Sequence, residues 1–223
     1  MSLGSFIVII AAICLAGIFV MYKKGKVNKL NNAMQNKQFD QVIAYSENPS
    51  FIRMIGEYNC DLYRLKAIFF SRGEEERRLA LETVLSKDYE LEKKEFVLDI
   101  YFHIYLQKQD REYCDVLMEY IDEISDETFK MYQHWAYEVM FNKRTDLIDA
   151  MDEAIENKQL KGFGLGVTAY MIGLQYDYLE NYDLARSYFY TCIGCFRPGD
   201  LYVDLAKKKV DELTEKMNAL EEY

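Results

Sequence analysis

Two cysteines near the C-terminal end of the chain have a spacing that supports thiol chemistry. Cys192 and Cys195 form a C-x-x-C motif within the stretch YTCIGCFRPGD. This spacing is typical of a redox pair or of half a zinc site, and it also places two small side chains on one face of a helix. A helix C-terminus disfavours a thiolate, and no second C-x-x-C supplies further zinc ligands. The motif therefore favours two buried core residues, with a thiol redox enzyme as the alternative.

Two other motifs have spacings that could serve catalysis or ligand binding. Asp99 and His103 are four residues apart, which on a helix permits either a metal site or a side-chain pair, and two residues alone favour the pair. The stretch KGFGLGV contains Gly162, Gly164 and Gly166 but has no preceding strand and no Gly-Lys-Ser/Thr ending. It predicts a flexible connection with a close approach of helices rather than a phosphate loop. We therefore expect no catalytic residues, no metal site and no cofactor.

The elements that must position these residues are helices. The 223 residues contain only 2 prolines and 11 glycines, and helix-forming residues are abundant. Short polar breaks occur near residues 37, 73, 109, 142 and 180, at intervals of 33 to 38 residues. Further breaks occur at ENPS, SKDYELE, EISDET and NKQLKGFG. A period in this range with a helix on each side of a turn predicts an all-α solenoid of stacked helical hairpins.

The last hairpin has the most specific sequence pattern. It reads AYMIGLQYDYLENYDLARSYFYTCIGCFRP from Ala169, with Gly173, Tyr176, Ala185 and Phe189 at set offsets and Pro198 one residue late. In these positions it resembles the tetratricopeptide repeat. The resemblance implies that Gly173 and Ala185 let two helices cross closely, while Tyr176 and Phe189 fill the space around the crossing. Earlier units match this pattern at Phe102, Cys114, Met118, Trp135, Leu147, Met151 and Ala154.

The repeat resemblance also implies a binding groove. In that family the first helix of each hairpin lines a concave surface that captures a segment of another protein. The corresponding residues here are Phe96, Asp99, His103, Phe129, Tyr132, Tyr170, Leu174, Asp177 and Tyr178. The set is aromatic and acidic, which favours a protein or peptide partner rich in Lys or Arg.

A charged helix is predicted to close the repeat domain, which spans residues 26–198. Residues 199–223 include apolar positions at helical spacing, and these are expected to cover the last hairpin. The positions are Leu201, Leu205, Val210, Leu213, Met217 and Leu220.

Residues 1–25 are predicted to form a membrane anchor with a basic flank. The segment from Leu3 to Tyr22 has no charge, and twenty helical residues span about 30 Å, the thickness of a bilayer core. Lys23 and Lys24 follow at once, so the positive-inside rule places the body in the cytoplasm, on a single-pass protein of the cell membrane. A cleaved signal peptide is the alternative, but it would have positive charge before the apolar stretch.

The charge distribution restricts the classes of partner. The first 29 residues contain four lysines and no acid, whereas the rest contains 23 basic and 37 acidic residues, a net charge of -14. Such a body repels nucleic acid. The five cysteines are odd in number and, apart from the C-x-x-C pair, far apart, so they give no disulfide framework and favour a reducing compartment. We therefore predict a membrane-anchored, non-enzymatic scaffold or adaptor, with a permanent structural subunit of a membrane complex as a further alternative.

Overall fold

A computed structural model describes the backbone of residues 3–221 and the side chains of residues 12–219. Within these residues the chain forms twelve α-helices and no β-strand. The all-α prediction is therefore confirmed.

The chain divides into two compact units, Met1–Tyr89 and Glu90–Tyr223, which we call unit 1 and unit 2. The boundary falls inside the predicted repeat domain, at the break SKDYELE. The helices of unit 1 are α1 (Leu3–Gln35), α2 (Phe39–Glu47), α3 (Pro49–Ile55), α4 (Glu57–Ser71) and α5 (Glu74–Leu85). Those of unit 2 are α6 (Leu91–Gln107), α7 (Arg111–Asp122), α8 (Glu127–Asn142), α9 (Ile148–Glu156), α10 (Gly162–Tyr178), α11 (Tyr182–Cys195) and α12 (Leu201–Glu221).

The nine polar breaks predicted from the sequence all fall between helices. A tenth break, at Gly56 between α3 and α4, was not predicted. Gly56 has φ +90°, a conformation that glycine adopts without the steric cost of a Cβ. A single glycine outside a polar cluster is a weak signal, which is why the sequence pattern does not reveal this break.

Four turns share one backbone conformation. Each begins with a residue in the left-handed region, at φ 55° to 60°: Lys37, Gln109, Lys158 and Glu180. The amide of the next residue bonds to a carbonyl five residues back, as in a Schellman motif, at 2.9 to 3.2 Å: Gln38 to Ala33, Asp110 to Tyr105, Gln159 to Ala154 and Asn181 to Tyr176. The same local chemistry therefore ends α1, α6, α9 and α10.

Unit 1 is built around a core to which α1 contributes. Leu30 and Ala33 of α1 are buried in this core. Its other members come from the next helices: Val42, Phe51, Ile55, Cys60 and Ala67. The helix predicted to contain the anchor therefore also packs in the body of unit 1.

The predicted close crossing of the last hairpin is confirmed. A Cβ added at Gly173 would lie 2.8 Å from Cε1 of Phe189, and Ala185 and Phe189 are fully buried. Tyr176 lies away from the crossing and stacks on Tyr188, with ring centroids 5.6 Å apart. A residue without a Cβ is therefore what allows the Phe189 ring to lie against α10.

The glycine-rich stretch is helical rather than a flexible connection. It forms the first turns of α10, where Gly164 lies against the ring of Tyr132 and Gly166 against that of Phe196. An added Cβ would come within 2.8 Å of Tyr132 and 2.3 Å of Phe196. The expected close approach of helices is confirmed, and the expected flexibility is wrong because these glycines accommodate aromatic rings.

The predicted C-terminal helix forms, but its buried face differs from the expected one. Leu201 is 39% exposed and Leu205 is half-buried, whereas Tyr202 is 1% exposed. The buried residues of α12 are Tyr202, Val203, Ala206, Val210 and Leu213. The side chain of Leu220 lies outside the described residues. Val210 and Leu213 are therefore buried as predicted, whereas Tyr202, Val203 and Ala206 take the buried positions expected for Leu201 and Leu205.

The predicted membrane anchor coincides with the first part of α1. Among the residues that the structure describes, no helix is long and apolar enough to cross a membrane. Side chains 3–11, which make up nearly half of the predicted anchor, lie outside those described. Within 12–22, the large apolar side chains are exposed: Ile13, Leu15, Ile18, Phe19, Val20, Met21 and Tyr22.

Candidate partner-binding surface of unit 2

The predicted groove is partly covered by α12. Tyr202 lies against two of the predicted residues, with its hydroxyl 2.6 Å from Nδ1 of His103 and its ring centroid 5.0 Å from that of Tyr170. His103 and Tyr170 are both buried. These two residues therefore serve the packing of α12 and present no open surface.

A third predicted residue, Asp177, is held by lysines of α12. Lys209 Nζ donates to Oδ2 of Asp177 at 2.9 Å, and Lys216 Nζ lies 3.3 Å from Oδ1. The Asp177 side chain is largely buried beneath this contact. An acid predicted to attract a basic partner is thus paired with basic residues of the same chain.

The remaining predicted residues differ in exposure. Phe96 is 51% exposed, and Tyr178 is half-buried with its hydroxyl 3.5 Å from the carbonyl oxygen of Val139. Asp99 is half-buried. The buried members are Phe129, Tyr132 and Leu174. The accessible part of the predicted set is therefore smaller than the sequence implied.

Asp99 and His103 do not form the side-chain pair that their spacing predicted. Asp99 Oδ1 accepts hydrogen bonds from the Tyr132 hydroxyl at 2.6 Å and from Gln133 Nε2 at 2.9 Å, both on α8. His103 instead bonds to Tyr202 of α12. Asp99 therefore connects α6 to α8, and His103 connects it to α12.

Burial shifts the pKa values of both groups towards their neutral forms. It raises the pKa of Asp99 to about 7, with Glu95 adding to the rise and the bonds from Tyr132 and Gln133 offsetting part of it. Burial lowers the pKa of His103 to about 3, so its imidazole is neutral at physiological pH. Asp99 is therefore a carboxyl group poised between its two protonation states near pH 7.

Three predicted residues meet in a cavity of about 350 Å³, which we call the acidic cavity. Asp99 of α6 and Phe129 and Tyr132 of α8 contribute to its wall. The full lining is Glu95, Asp99, Asp126, Thr128, Phe129, Tyr132, Lys158, Gln159, Leu160 and Lys161. The cavity combines three carboxylates and two lysines with aromatic residues at the start of α8.

The acidic cavity continues into a more open acidic cleft. Glu95 and Asp126 line both, and Glu90 and Glu92 add two more carboxylates to the cleft. Burial, Asp126 and Glu92 raise the pKa of Glu95, because like charges disfavour its ionised form. An added cation would relieve this repulsion.

Three other predicted groove residues line a second cavity, of about 470 Å³, beside α12. These are Tyr170, Leu174 and Tyr178, opposite Lys208 and Lys209. This lining has three lysines and one glutamate, whereas the acidic cavity has three carboxylates and two lysines, so the second cavity is less suitable for a basic partner.

The charge of the chain is divided between the units. Unit 1 contains 12 basic and 9 acidic residues, a net charge of +3, whereas unit 2 contains 15 basic and 28 acidic residues, a net charge of -13. The acidic cavity therefore belongs to the acidic unit. Long-range attraction of a cationic segment would act on unit 2.

The C-x-x-C motif lies in surroundings that disfavour thiolates. Cys192 is fully buried, with its sulfur 3.9 Å from the carbonyl oxygen of Tyr202, and Cys195 is half-buried. Both thiols are free. Burial raises the pKa of Cys192 to about 12 and also raises the pKa of Cys195. Cys192 is a core residue, as predicted, and Cys195 lies at the edge of the core.

No set of three or more His, Cys, Asp and Glu side chains is arranged to hold a metal ion within the described part of the chain.

Sequence reasoning missed two residues that shape the candidate surface, Tyr202 and Glu95. Tyr202 had a detectable signal, since it is an aromatic residue in an otherwise highly charged helix. Glu95 had none, because its role depends on the nearby Asp126 of another helix.

Comparisons of the chain with protein-family models, with curated proteins and with solved structures find no match. The resemblance to the tetratricopeptide repeat therefore stays a prediction that rests on its residues. What the acidic cavity binds has to be inferred from its own shape and charge.

Proposed function

We propose that this protein is a membrane-anchored helical-repeat adaptor whose acidic cavity binds a basic segment of a partner protein. The observation that carries the proposal is the meeting of Asp99, Phe129 and Tyr132 in one cavity with the carboxylates of Glu95 and Asp126. Asp99, Phe129 and Tyr132 were predicted as groove residues from their repeat positions, independently of any cavity. The function follows from their chemistry.

The cavity suits a Lys or Arg side chain. Its volume of about 350 Å³ is at the small end of ligand sites, large enough for one long side chain. Carboxylates would pair with the cationic head, and Phe129, Tyr132 and Leu160 contribute apolar atoms to the wall beside the stem. A cation beside Asp99 would also favour its ionised form. Arginine fits best, since its planar fork pairs with two carboxylate oxygens.

The membrane anchor is part of the same proposal. Its support is the run of exposed apolar side chains on α1 followed by Lys23 and Lys24. Seven large apolar side chains exposed on one helix favour contact with an apolar environment, and the lysines favour a cytoplasmic body. The adaptor would therefore present its acidic cavity to partners near the inner face of the cell membrane.

The solenoid architecture is proposed on the recurrence of one turn. The same left-handed conformation and the same backbone hydrogen bond end α1, α6, α9 and α10. Repeated hairpins with one turn chemistry are typical of repeat proteins.

Photo-crosslinking tests the proposal. A benzoylphenylalanine at Thr128, which lines the cavity, should crosslink to a partner peptide containing Arg or Lys in cells that make the protein. Adding Glu95→Gln with Asp126→Asn should abolish the crosslink, because both carboxylates lose their charge while asparagine can still cap α8.

The matched control is Glu112→Gln with Glu119→Gln. Both residues are exposed on α7, and the pair removes the same charge from the same unit. This variant should crosslink as the parent does. Equal crosslinking in all three proteins would refute a charge-dependent site. A partner that co-purifies at fixed stoichiometry through every variant would identify a structural subunit instead.

A further inference from the structure

The first helix carries unit 1 at a fixed distance from the proposed membrane segment. α1 is continuous from the exposed apolar side chains through the basic residues to Leu30, which is fully buried in unit 1. Leu30 lies eight positions after Tyr22, which is about 12 Å of helix. No turn or linker interrupts this stretch, so unit 1 follows the direction of the helix.

A buried lysine fastens α3 to this part of α1. Lys26 is only 8% exposed, and its Nζ donates to Oγ of Ser50 at 2.9 Å and lies 4.1 Å from the ring centroid of Phe51. Ser50 Oγ in turn donates to Oδ1 of Asn48, the N-cap of α3. Lys26 therefore serves to hold the start of α3 and is withdrawn from the exposed basic cluster.

The distance of α3 from the apolar core of the membrane follows from helix geometry. Lys26 lies four residues after Tyr22, a rise of about 6 Å. The polar headgroup layer of one leaflet is about 5 to 7 Å thick. With Tyr22 at the interface, where such aromatics sit, the start of α3 lies at the outer edge of the headgroups.

Exposed cations occur close to this layer in the sequence. Lys23 and Lys24 directly follow Tyr22, and Arg53 is exposed on α3, three residues after Ser50. None of the three forms an ion pair with another described residue. The two acids nearest in sequence to α3 are paired with other residues: Glu47 lies 3.9 Å from Arg64, and Glu57 lies 2.6 Å from Lys87. Unit 1 as a whole is positively charged, in contrast to unit 2.

From this geometry we infer that unit 1 docks on the membrane surface and binds anionic lipid headgroups through Lys23, Lys24 and Arg53, with the Lys26–Ser50 contact holding α3 in place. The inference rests on the proposed anchor. Anionic lipids attract cations close to the surface and act within about a Debye length. Docking would fix the orientation of unit 1 on the bilayer.

Hydrogen exchange of the full chain in nanodiscs tests this inference. Peptides covering residues 48–56 should exchange at least about fivefold more slowly in discs with 30% phosphatidylserine than in pure phosphatidylcholine, the factor that corresponds to one surface cation. Peptides of α4 should exchange equally in both. Lys23→Gln with Arg53→Gln should abolish the difference, and so should Ser50→Ala, which removes the acceptor of Lys26.

The control is Lys37→Gln with Lys66→Gln, which removes two exposed charges from unit 1 elsewhere. This variant should show the same difference in exchange of residues 48–56 between the two kinds of disc as the parent does. Equal exchange of residues 48–56 in both kinds of disc would overturn the inference, as would loss of the difference in the control variant. Failure of the chain to insert into discs would instead overturn the proposed anchor. Unchanged exchange of α4 in every variant shows that unit 1 remains folded.

Discussion

The hydroxyl of Tyr202 lies 2.6 Å from Nδ1 of His103, and this contact joins α12 to α6 across 99 positions of the sequence. Both side chains are only 1% exposed. Because burial lowers the pKa of His103 to about 3, the contact is a bond between two neutral groups. The last helix is thereby part of the core of unit 2.

The first prediction concerns this bond. Tyr202→Phe keeps the ring and leaves a buried nitrogen of His103 without its partner, so it should lower the free energy of unfolding by about 1–3 kcal/mol. Tyr190→Phe is the control, since Tyr190 is 57% exposed and its change should stay within about 0.5 kcal/mol. Urea unfolding measures both. Equal stability of the two variants would contradict the structural role of the hydroxyl.

Gly173→Leu should destabilise unit 2. Even a Cβ would lie 2.8 Å from Phe189, and overpacking of this kind costs about 1–3 kcal/mol or more. Gly194→Ala is the control, because nothing lies within 4 Å of its Cβ position and alanine favours a helix by about 0.5–1 kcal/mol. Thermal melting should show a lower Tm for the first variant and an equal or higher Tm for the second. An unchanged Tm in the leucine variant would refute the close crossing.

Asp99→Asn should gain stability relative to the parent as the pH rises. The native pKa of Asp99 is about 7 and the ordinary value is 3.8, so between these values the native state holds a proton that the unfolded state has lost. The contribution of Asp99 to the free energy of unfolding therefore decreases as pH rises from about 4 to 7. Asparagine does not titrate in this range, so the variant does not lose this stability. Between pH 5 and pH 8 the free energy of unfolding of the variant should rise by a few kcal/mol relative to that of the parent.

Urea unfolding at both pH values measures this shift, with the exposed Asp211→Asn as control. His103 has the opposite sign: its native pKa is below the ordinary 6.5, so its contribution is lost as pH falls from about 6.5 to 3. His103 remains in both proteins and cancels from the comparison. A shift of the same size in the Asp211 variant would show that Asp99 is not the group responsible.

Cys192 should resist alkylation in the native protein. It is fully buried and burial raises its pKa to about 12, so both access and thiolate formation are disfavoured. Mass spectrometry after N-ethylmaleimide treatment should find Cys192 modified only in denaturant, with half-buried Cys195 modified earlier. Rapid native modification, or a Cys192–Cys195 disulfide formed by mild oxidant, would support the thiol enzyme instead.

The body should be protected from protease outside intact cells or spheroplasts. The motivation is the one-sided lysine cluster at Lys23 and Lys24, which the positive-inside rule assigns to the cytoplasm. Immunoblotting of the C-terminal end should show the full-length chain until the membrane is permeabilised. Cleavage without permeabilisation would place the body outside.

Local sequence chemistry accounts for much of the fold. The nine polar breaks were predictable because capping residues and left-handed turn residues act within a few positions. The contact of Gly173 with Phe189 was also predictable, since both residues belong to one hairpin whose turn sets their register. The burial of Cys192 follows from its position three residues after Phe189 on the same face.

The exposure of the predicted groove was decided by tertiary structure. His103, Tyr170 and Asp177 occupy first-helix positions that could line an open surface, but α12 covers all three through Tyr202, Lys209 and Lys216. Periodicity shows which face of a helix a residue occupies and says nothing about what packs there from distant sequence. The acidic cavity likewise required Glu95 and Asp126 to meet from separate helices. Sequence spacing determines helices and turns because their interactions are short-range, whereas a binding surface depends on long-range packing that only the folded chain establishes.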